Sequence, residues 1–149
     1  MAYKHIVLNV GQPMSPNRAQ MAARLAEAHG AVLSGRYYAI EDNEKRQSSS
    51  TPPLQSAAGL SAQATMPAAP APEESREGRK AKDIFEHATA QTSVTSRFEA
   101  APGANRTLSG CLAEDAQCSD LVVVGKPTDG NGDKDLVRKL TQEIGGAVL

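Results

Sequence analysis

The chain has 149 residues, and its 16 basic and 17 acidic residues leave a formal net charge of −1. A chain of this length is one domain by the usual size range and can bury a core. The near-neutral charge excludes the basic footprint of a nucleic-acid or anionic-membrane partner. No apolar run approaches the roughly 18–20 residues that span a bilayer. The first residues carry no signal-peptide pattern, so the sequence predicts a soluble cytoplasmic protein.

The chain contains two cysteines, Cys111 and Cys118. On one helix, residues at this spacing are separated by about 10.5 Å of rise. A disulfide needs Cα atoms within about 7 Å of each other, so these two cannot bridge. Two thiols without a disulfide framework fit a reducing compartment, and we expect both to face inward as small hydrophobic side chains.

The first part of the chain predicts a strand–helix–strand unit. Tyr3–Val10 is the first strand, and Ser15–Pro16 marks the start of a helix that runs to about His29. Gly30 supplies the stop at its C-terminus. Alanines on the apolar face of this helix predict a close approach to the sheet, and Ala31–Ile40 is the second strand.

From about residue 42 to residue 72 the composition changes to serine, alanine, glutamine and proline. Such a segment has too little apolar bulk to offset the entropy of ordering it. It is also well beyond the ~12–15 residues usual for ordered connections. We interpret it as a flexible insert within a single domain of residues 1–149, with a short docking helix around Leu54, Leu60 and Met66 as the alternative.

The remainder of the chain continues the alternation of helices and strands. The predicted helices are Glu73–Thr92, one that begins at Asn105 or Thr107, and one that Asp133 caps. The predicted strands are Ser93–Ala100, Ser119–Gly125 and a fifth that is barely begun at Ala147–Leu149. The last two helices have predicted inner faces at Leu108, Cys111, Leu112, Asp115 and Cys118, and at Leu136, Val137, Leu140 and Ile144.

This alternation predicts an α/β fold with an open parallel five-stranded sheet, helices on both faces and a truncated fifth strand. The expected strand order is the flavodoxin-like, Rossmann-like 3-2-1-4-5, which reverses between strands one and four. Ligands of open α/β sheets bind beyond the carboxyl ends of strands at such a reversal. We therefore expect Gly11 and Gly125 to face each other across a crevice.

Three stretches make the chain similar to a universal stress protein domain. Tyr3–Val10 resembles the first strand of that family, and Ala19–Ala31 resembles its first helix and the entry to its second strand. Leu112–Glu114, continued through Ser119–Gly125, resembles its third helix and fourth strand. The resemblance covers the chain apart from the insert and implies the fold described above.

The chain departs from the ATP-binding members at the positions that hold nucleotide. Those members place an aspartate after the first strand, where this chain has Gly11. They also carry Gly-x2-Gly-x9-Gly-Ser/Thr after the fourth strand. Counted from Gly125, the second glycine falls on Thr128 and the closing pair on Arg138-Lys139, so the pattern fails. The chain resembles the branch of the family that lacks the ATP motif.

The resemblance implies a non-catalytic stress-response regulatory or protein-interaction domain with a degenerate nucleotide crevice and no cofactor. The alternative is an adenine-nucleotide-binding switch that takes ATP or AMP. Its binding residues would be Val10, Gly11, Gln12, Ala39, Gly125 and Lys126. The resemblance also implies a homodimer, which in this family often forms through the fifth strand. Because that strand is almost absent here, the edge at strand four or five needs another partner or a cover.

No other pattern in the sequence predicts a metal site or a catalytic residue. Asp129–Asp135 resembles the start of a calcium loop, but Lys134 and Leu140 replace its required glycine and glutamate. The three histidines lack the spacing of zinc ligands. No serine lies in a nucleophile elbow, and no carboxylate pair has a recognisable catalytic spacing.

Overall fold

The computed structural model describes residues 2–11, 14–40, 71–72, 75–103, 107–125, 136–144 and 147–148. Its strands are β1 His5–Asn9, β2 Val32–Ala39, β3 Ser96–Pro102, β4 Leu121–Val123 and β5 Ala147–Val148. Its helices are α1 Pro16–His29, α2 Arg76–Thr89, α3 Leu108–Gln117 and α4 Leu136–Ile144. The predicted insert up to residue 70, the calcium-like loop and the predicted cap Asp133 lie outside the described residues.

The strands form a parallel sheet in the order β3-β2-β1-β4-β5. The predicted parallel α/β fold with the order 3-2-1-4 is therefore confirmed. Strand β5 contributes Ala147 and Val148, which pair with Leu121 and Val122 of β4. The strand order reverses between β1 and β4, as the sequence predicts: β2 and β3 lie on one side of β1, and β4 and β5 lie on the other.

The core consists of two apolar clusters that share β1. Ile6 and Leu8 pack with residues of α1 and α2, whereas Val7 packs with residues of α3 and α4. Successive residues of a strand point to opposite faces of its sheet. The two clusters therefore lie on opposite sides of β1, which is buried from both.

Helix α1 follows its sequence signals closely. The Ser15 side chain accepts a hydrogen bond from the backbone N–H of Arg18, Pro16 occupies the first turn, and Gly30 ends the helix with φ of 62°. The predicted alanine face is confirmed, because its members are at most 2% exposed: Ala19, Ala22, Ala23 and Ala26. Side chains this small allow the helix axis to lie close to the sheet.

The bounds of α2 and the start of β3 differ from those predicted. Ser75 caps α2 by accepting from the N–H of Gly78 at 2.9 Å, so the helix begins at Arg76 and ends at Thr89 rather than Thr92. Strand β3 begins at Ser96 rather than Ser93, where it comes into register with Leu33 of β2. In both places a tertiary or capping contact sets the boundary, which apolar spacing alone does not locate.

Two residues predicted to face inward are exposed. Cys118 is the residue after α3, so it leaves the helical spacing and is exposed, whereas Cys111 is buried; both are free thiols. Val137 is 44% exposed, because Leu136 and Leu140 of α4 already face the sheet. Thr107, rather than Asn105, caps α3 by accepting from the N–H of Gly110 at 3.2 Å.

Asp120 joins the amino-terminal ends of β1 and β4. One oxygen of its carboxylate accepts hydrogen bonds from the backbone N–H groups of His5 and Lys4, at 2.9 and 2.8 Å. These two bonds lower the pKa of the Asp120 carboxyl. The carboxylate thereby aligns β4 with β1 at their amino-terminal ends, opposite the predicted crevice.

Replacing Gly35 by alanine should destabilise the fold through one identifiable clash. A Cβ at Gly35 would lie 2.6 Å from two ring carbons of Phe85, which is 2% exposed and cannot move aside freely. We expect Gly35→Ala to lower the free energy of unfolding by about 1–3 kcal/mol, as overpacked cores do. In a Phe85→Leu background the same change should cost less; an equal cost in both backgrounds contradicts the clash.

Asp120→Asn should make the stability of the fold less dependent on pH in the acid range. Because the folded-state pKa of Asp120 is depressed, its stabilising effect is present above the unfolded-state value, about 4, and is lost as the pH falls through the folded value. The wild-type melting temperature should exceed that of the variant at neutral pH, and the difference should shrink below about pH 4. Asp83→Asn on the exposed face of α2 is the control; a difference constant with pH contradicts the account.

Candidate functional site

The crevice predicted at the strand reversal begins with a turn built by Asn9. This residue ends β1 and is only 2% exposed, although its side chain is polar. Its Oδ1 accepts a hydrogen bond from the backbone N–H of Gly11 at 3.0 Å. The amide thus satisfies a buried donor and directs the chain away from the sheet at the carboxyl end of β1.

Arg18 of α1 extends into this crevice. Its Nη2 donates to the carbonyl oxygens of Asn9 and Gly11, each at 3.3 Å. The guanidinium also packs against Gly125, where an added Cβ would lie 2.8 Å from Cζ and overlap Nη1. Burial lowers the pKa of Arg18. The guanidinium therefore joins the ends of β1 and β4, in the place where a ligand of this fold would approach the backbone.

The sequence contained a signal for Arg18 that the pattern analysis missed. Arg18, Ala22 and Ala26 are four residues apart in turn, so they share one face of α1, and the two alanines are buried. Arg18 is the first member of this row, at the end of the helix that lies beside the carboxyl ends of the strands. Because a charged side chain is usually assigned to solvent, apolar spacing alone does not include Arg18 in the buried row.

The predicted nucleotide residues fall into three groups. Gly11 and Gly125 both contact Arg18, and Val10 is 3% exposed with its side chain in the core. Ala39 lies three residues beyond the β2 residue that pairs with Asn9, and its carbonyl accepts from the N–H of Gly103 at 3.0 Å. Gln12 and Lys126, the other two predicted residues, lie outside the described part of the chain.

A second polar cluster connects β2, β3 and α3. Arg36 forms an ion pair with Glu99 and lies 3.2 Å, Nε to Oδ1, from Asp115. The Nε contact is an ion pair without a hydrogen bond, because Nε is buried and its N–H finds no acceptor. Tyr38 donates to the Asp115 carboxylate, and burial followed by that bond raises the pKa of the Tyr38 hydroxyl. These contacts hold α3 onto the sheet and leave Asp115 engaged by both β2 residues.

His5 has two hydrogen-bonding partners at the amino-terminal ends of the strands, opposite the crevice. Its Nδ1 lies 2.9 Å from the carbonyl oxygen of Cys118, and its Nε2 lies 2.8 Å from Oγ of Ser34. A carbonyl only accepts, so Nδ1 carries a proton and Nε2 accepts from Ser34 when the ring is neutral. Because Ser34 is 8% exposed and a carbonyl rather than a carboxylate holds Nδ1, the pair is a satisfied structural contact.

Two open grooves of the described surface lie along α1. One of about 350 Å³ is bounded by Pro16, Gln20, Asp83, Ile84, His87 and Ala88, and one of about 270 Å³ adjoins it at Gln20. The described residues hold no group of three or more histidines, cysteines or carboxylates arranged to bind a metal. Within the same ranges, no helix is long and apolar enough to cross a bilayer.

Comparison with known proteins gives matches only to solved structures. No protein-family model and no curated protein matches the chain. A universal stress protein crystallised in complex with cAMP is 17% identical, with a TM-score of 0.57, and the match covers 100% of this chain and 96% of that one. A universal stress protein from Archaeoglobus fulgidus is 11% identical (TM-score 0.60; 100% and 93% covered). UspA from Lactobacillus plantarum is 13% identical (TM-score 0.58; 100% and 97% covered).

A parallel sheet whose strand order reverses between β1 and β4 is a doubly wound α/β fold. The chain has the universal stress protein fold. The family resemblance drawn from the sequence is thus confirmed at the level of fold.

Removing the Arg18 guanidinium or displacing it should have overlapping effects on stability. Arg18→Ala leaves two backbone carbonyls without this donor and should cost about 1–3 kcal/mol of unfolding free energy. Gly125→Ala should cost a similar amount by overlapping the guanidinium; among the described glycines only Gly30 has a positive φ, so backbone strain does not contribute.

In the double variant the two costs should not add, because the alanine methyl then meets no guanidinium. Denaturant unfolding of the four proteins measures this coupling. Arg24→Ala, on the exposed face of the same helix, is the control for loss of an arginine. Full additivity of Arg18→Ala and Gly125→Ala would show that the guanidinium does not occupy the space beside Gly125.

Proposed function

We propose that the protein is a non-catalytic regulatory or protein-interaction domain of the universal stress protein family, with a nucleotide crevice that is degenerate. The contact of Arg18 with Gly11 and Gly125 carries the proposal. A guanidinium held there by backbone carbonyls takes up the space through which a nucleotide would approach the two glycines. The chain also has Gly11 where ATP-binding members of the family have an aspartate.

The absence of a catalytic role is part of the same proposal. Among the described residues, the contact between Ser34 and His5 is the nearest approach to a nucleophile and base. It is part-buried and lies at the amino-terminal ends of the strands, opposite the crevice. In the polar cluster around Arg36, each carboxylate already pairs with a cation or a phenol of the chain. Groups engaged in this way support a structural role.

We propose the following setting for the domain. The architecture is an open five-stranded sheet with helices on both faces, consistent with the pairing of β5 and with the two core clusters. The free thiols of Cys111 and Cys118 favour a reducing compartment such as the cytoplasm. The partner is a second copy or another protein, rather than nucleic acid or a membrane, because the net charge is only −1.

One observation favours a second function, an adenine-nucleotide switch that takes ATP or AMP. A structure with the same fold was solved in complex with cAMP. For a nucleotide to bind here, Arg18 would have to leave the carbonyls of Asn9 and Gly11 and pair with a phosphate, where charge-assisted hydrogen bonds are stronger. Gly125 would then be free to approach the ligand.

Calorimetric titration with ATP, ADP, AMP and cAMP separates the two functions. The proposed function predicts no binding heat for the wild type at millimolar nucleotide, because the chain's own guanidinium occupies the crevice. The switch predicts binding that Arg18→Ala weakens by about tenfold or more, the cost of one charge-assisted contact. Arg24→Ala is the matched control. Saturable wild-type binding would refute the proposed function.

A further inference from the structure

Among the described residues, the sheet has one long edge without a neighbouring strand, formed by β3. Among the described strands, this seven-residue strand pairs only with β2, whereas the opposite edge is the two-residue β5. An open edge strand presents unpaired N–H and C=O groups that can pair with another chain. Of the two edges, β3 offers much the larger surface for such pairing.

The direction of each backbone group on β3 follows from its bonds to β2. Thr95 accepts from the N–H of Leu33, and Gly103 donates to Ala39. In a parallel ladder the residues that bond to the neighbour alternate along the strand. The even-numbered residues of β3 therefore direct their N–H and C=O groups to the open edge: Ser96, Phe98 and Ala100. Pro102 has the same direction but no N–H, so it ends the row of donors.

We propose that a second copy of this chain pairs with this edge, antiparallel, about a two-fold axis at Phe98. In that register Phe98 faces Phe98 of the second copy, and Ser96 faces Ala100. Each of these is a hydrogen-bonded pair, because both members direct their groups outward. Centring the pair on Ala100 would instead oppose Phe98 with Pro102, which has no donor. The register at Phe98 uses all three outward residues.

The same register places opposite charges across the two-fold axis. Arg97, whose side chain is 74% exposed, forms an ion pair with Glu99 of its own strand. In the dimer it would also face Glu99 of the second copy, and Glu99 would face its Arg97. The two residues share one face of β3, opposite Ser34 and Arg36 of β2. They form non-hydrogen-bonded pairs, in which Cβ atoms come closest and opposite charges stabilise the pairing. The edge is thus complementary to itself in both hydrogen bonding and charge.

This interface takes the second copy as the partner, one of the two partners in the proposed function, and rests on that part of the proposal only. It uses β3, whereas the dimer implied by the family resemblance uses the fifth strand. It does not involve Arg18 or the crevice. A nucleotide titration therefore cannot decide it, and a monomeric protein would leave the crevice proposal standing.

Sedimentation velocity of the full chain over a range of concentrations tests the interface. The wild type should approach twice 15.6 kDa as the concentration rises. Arg97→Glu should raise the dimer dissociation constant by about tenfold or more, because two attractive cross-strand pairs become repulsive. Arg79→Glu on the exposed face of α2 makes the same charge change and should have no effect. An equimolar mixture of Arg97→Glu and Glu99→Arg should dimerise where each alone does not.

Two further measurements keep the test independent of any folding defect. Ala100→Pro removes an outward N–H without touching a bond to β2, so it should abolish the dimer while the melting temperature of the monomer stays close to wild type. Amide exchange at Ser96, Phe98 and Ala100 should slow as protein concentration rises. Protection that does not depend on concentration would mean that the chain covers its own edge. Such concentration-independent protection would overturn the proposal. So would fast exchange at every concentration, and so would equal effects of Arg97→Glu and Arg79→Glu.

Discussion

Burial of β1 on both faces is the constraint on which the structure depends. Ile6 and Leu8 need apolar cover on one side and Val7 on the other, which two helical layers supply. Parallel strands joined by helices provide that cover. The same arrangement brings the polar end of β1 into the interior, where Asn9 must find partners. Its side chain accepts a hydrogen bond from the N–H of Gly11, and its backbone carbonyl accepts one from Nη2 of Arg18.

The partners of Asn9 also determine which group lies beside Gly125. In doubly wound folds a glycine after a strand allows a ligand to approach the backbone closely. Here the group that approaches Gly125 belongs to the chain itself, the guanidinium of Arg18. A cation at the start of a helix is opposed by the helix dipole, so the two carbonyl contacts matter to its position. The residue that contacts the end of β1 is thereby also the one that the proposal assigns to excluding ligand.

Polar contacts elsewhere position the elements of the fold. Arg36 and Tyr38 both engage Asp115, which holds α3 against β2. Asp120 performs a similar role between β1 and β4. On the edge strand β3, Arg97 is mostly exposed and forms an ion pair with Glu99 of the same strand. The proposed dimer uses these two residues.

Local sequence was sufficient for the order of elements, the limits of α1 and the strand order through β4, because apolar spacing and capping residues act over a few positions. It also predicted that Gly11 and Gly125 lie near each other, and both contact Arg18. It did not reveal Arg18 between them, nor the exposure of Cys118 and Val137. Those outcomes depend on which surface each residue meets after the helices dock onto the sheet. Whether a charged side chain is solvated or buried is decided by groups distant in sequence, and only the tertiary structure brings them together.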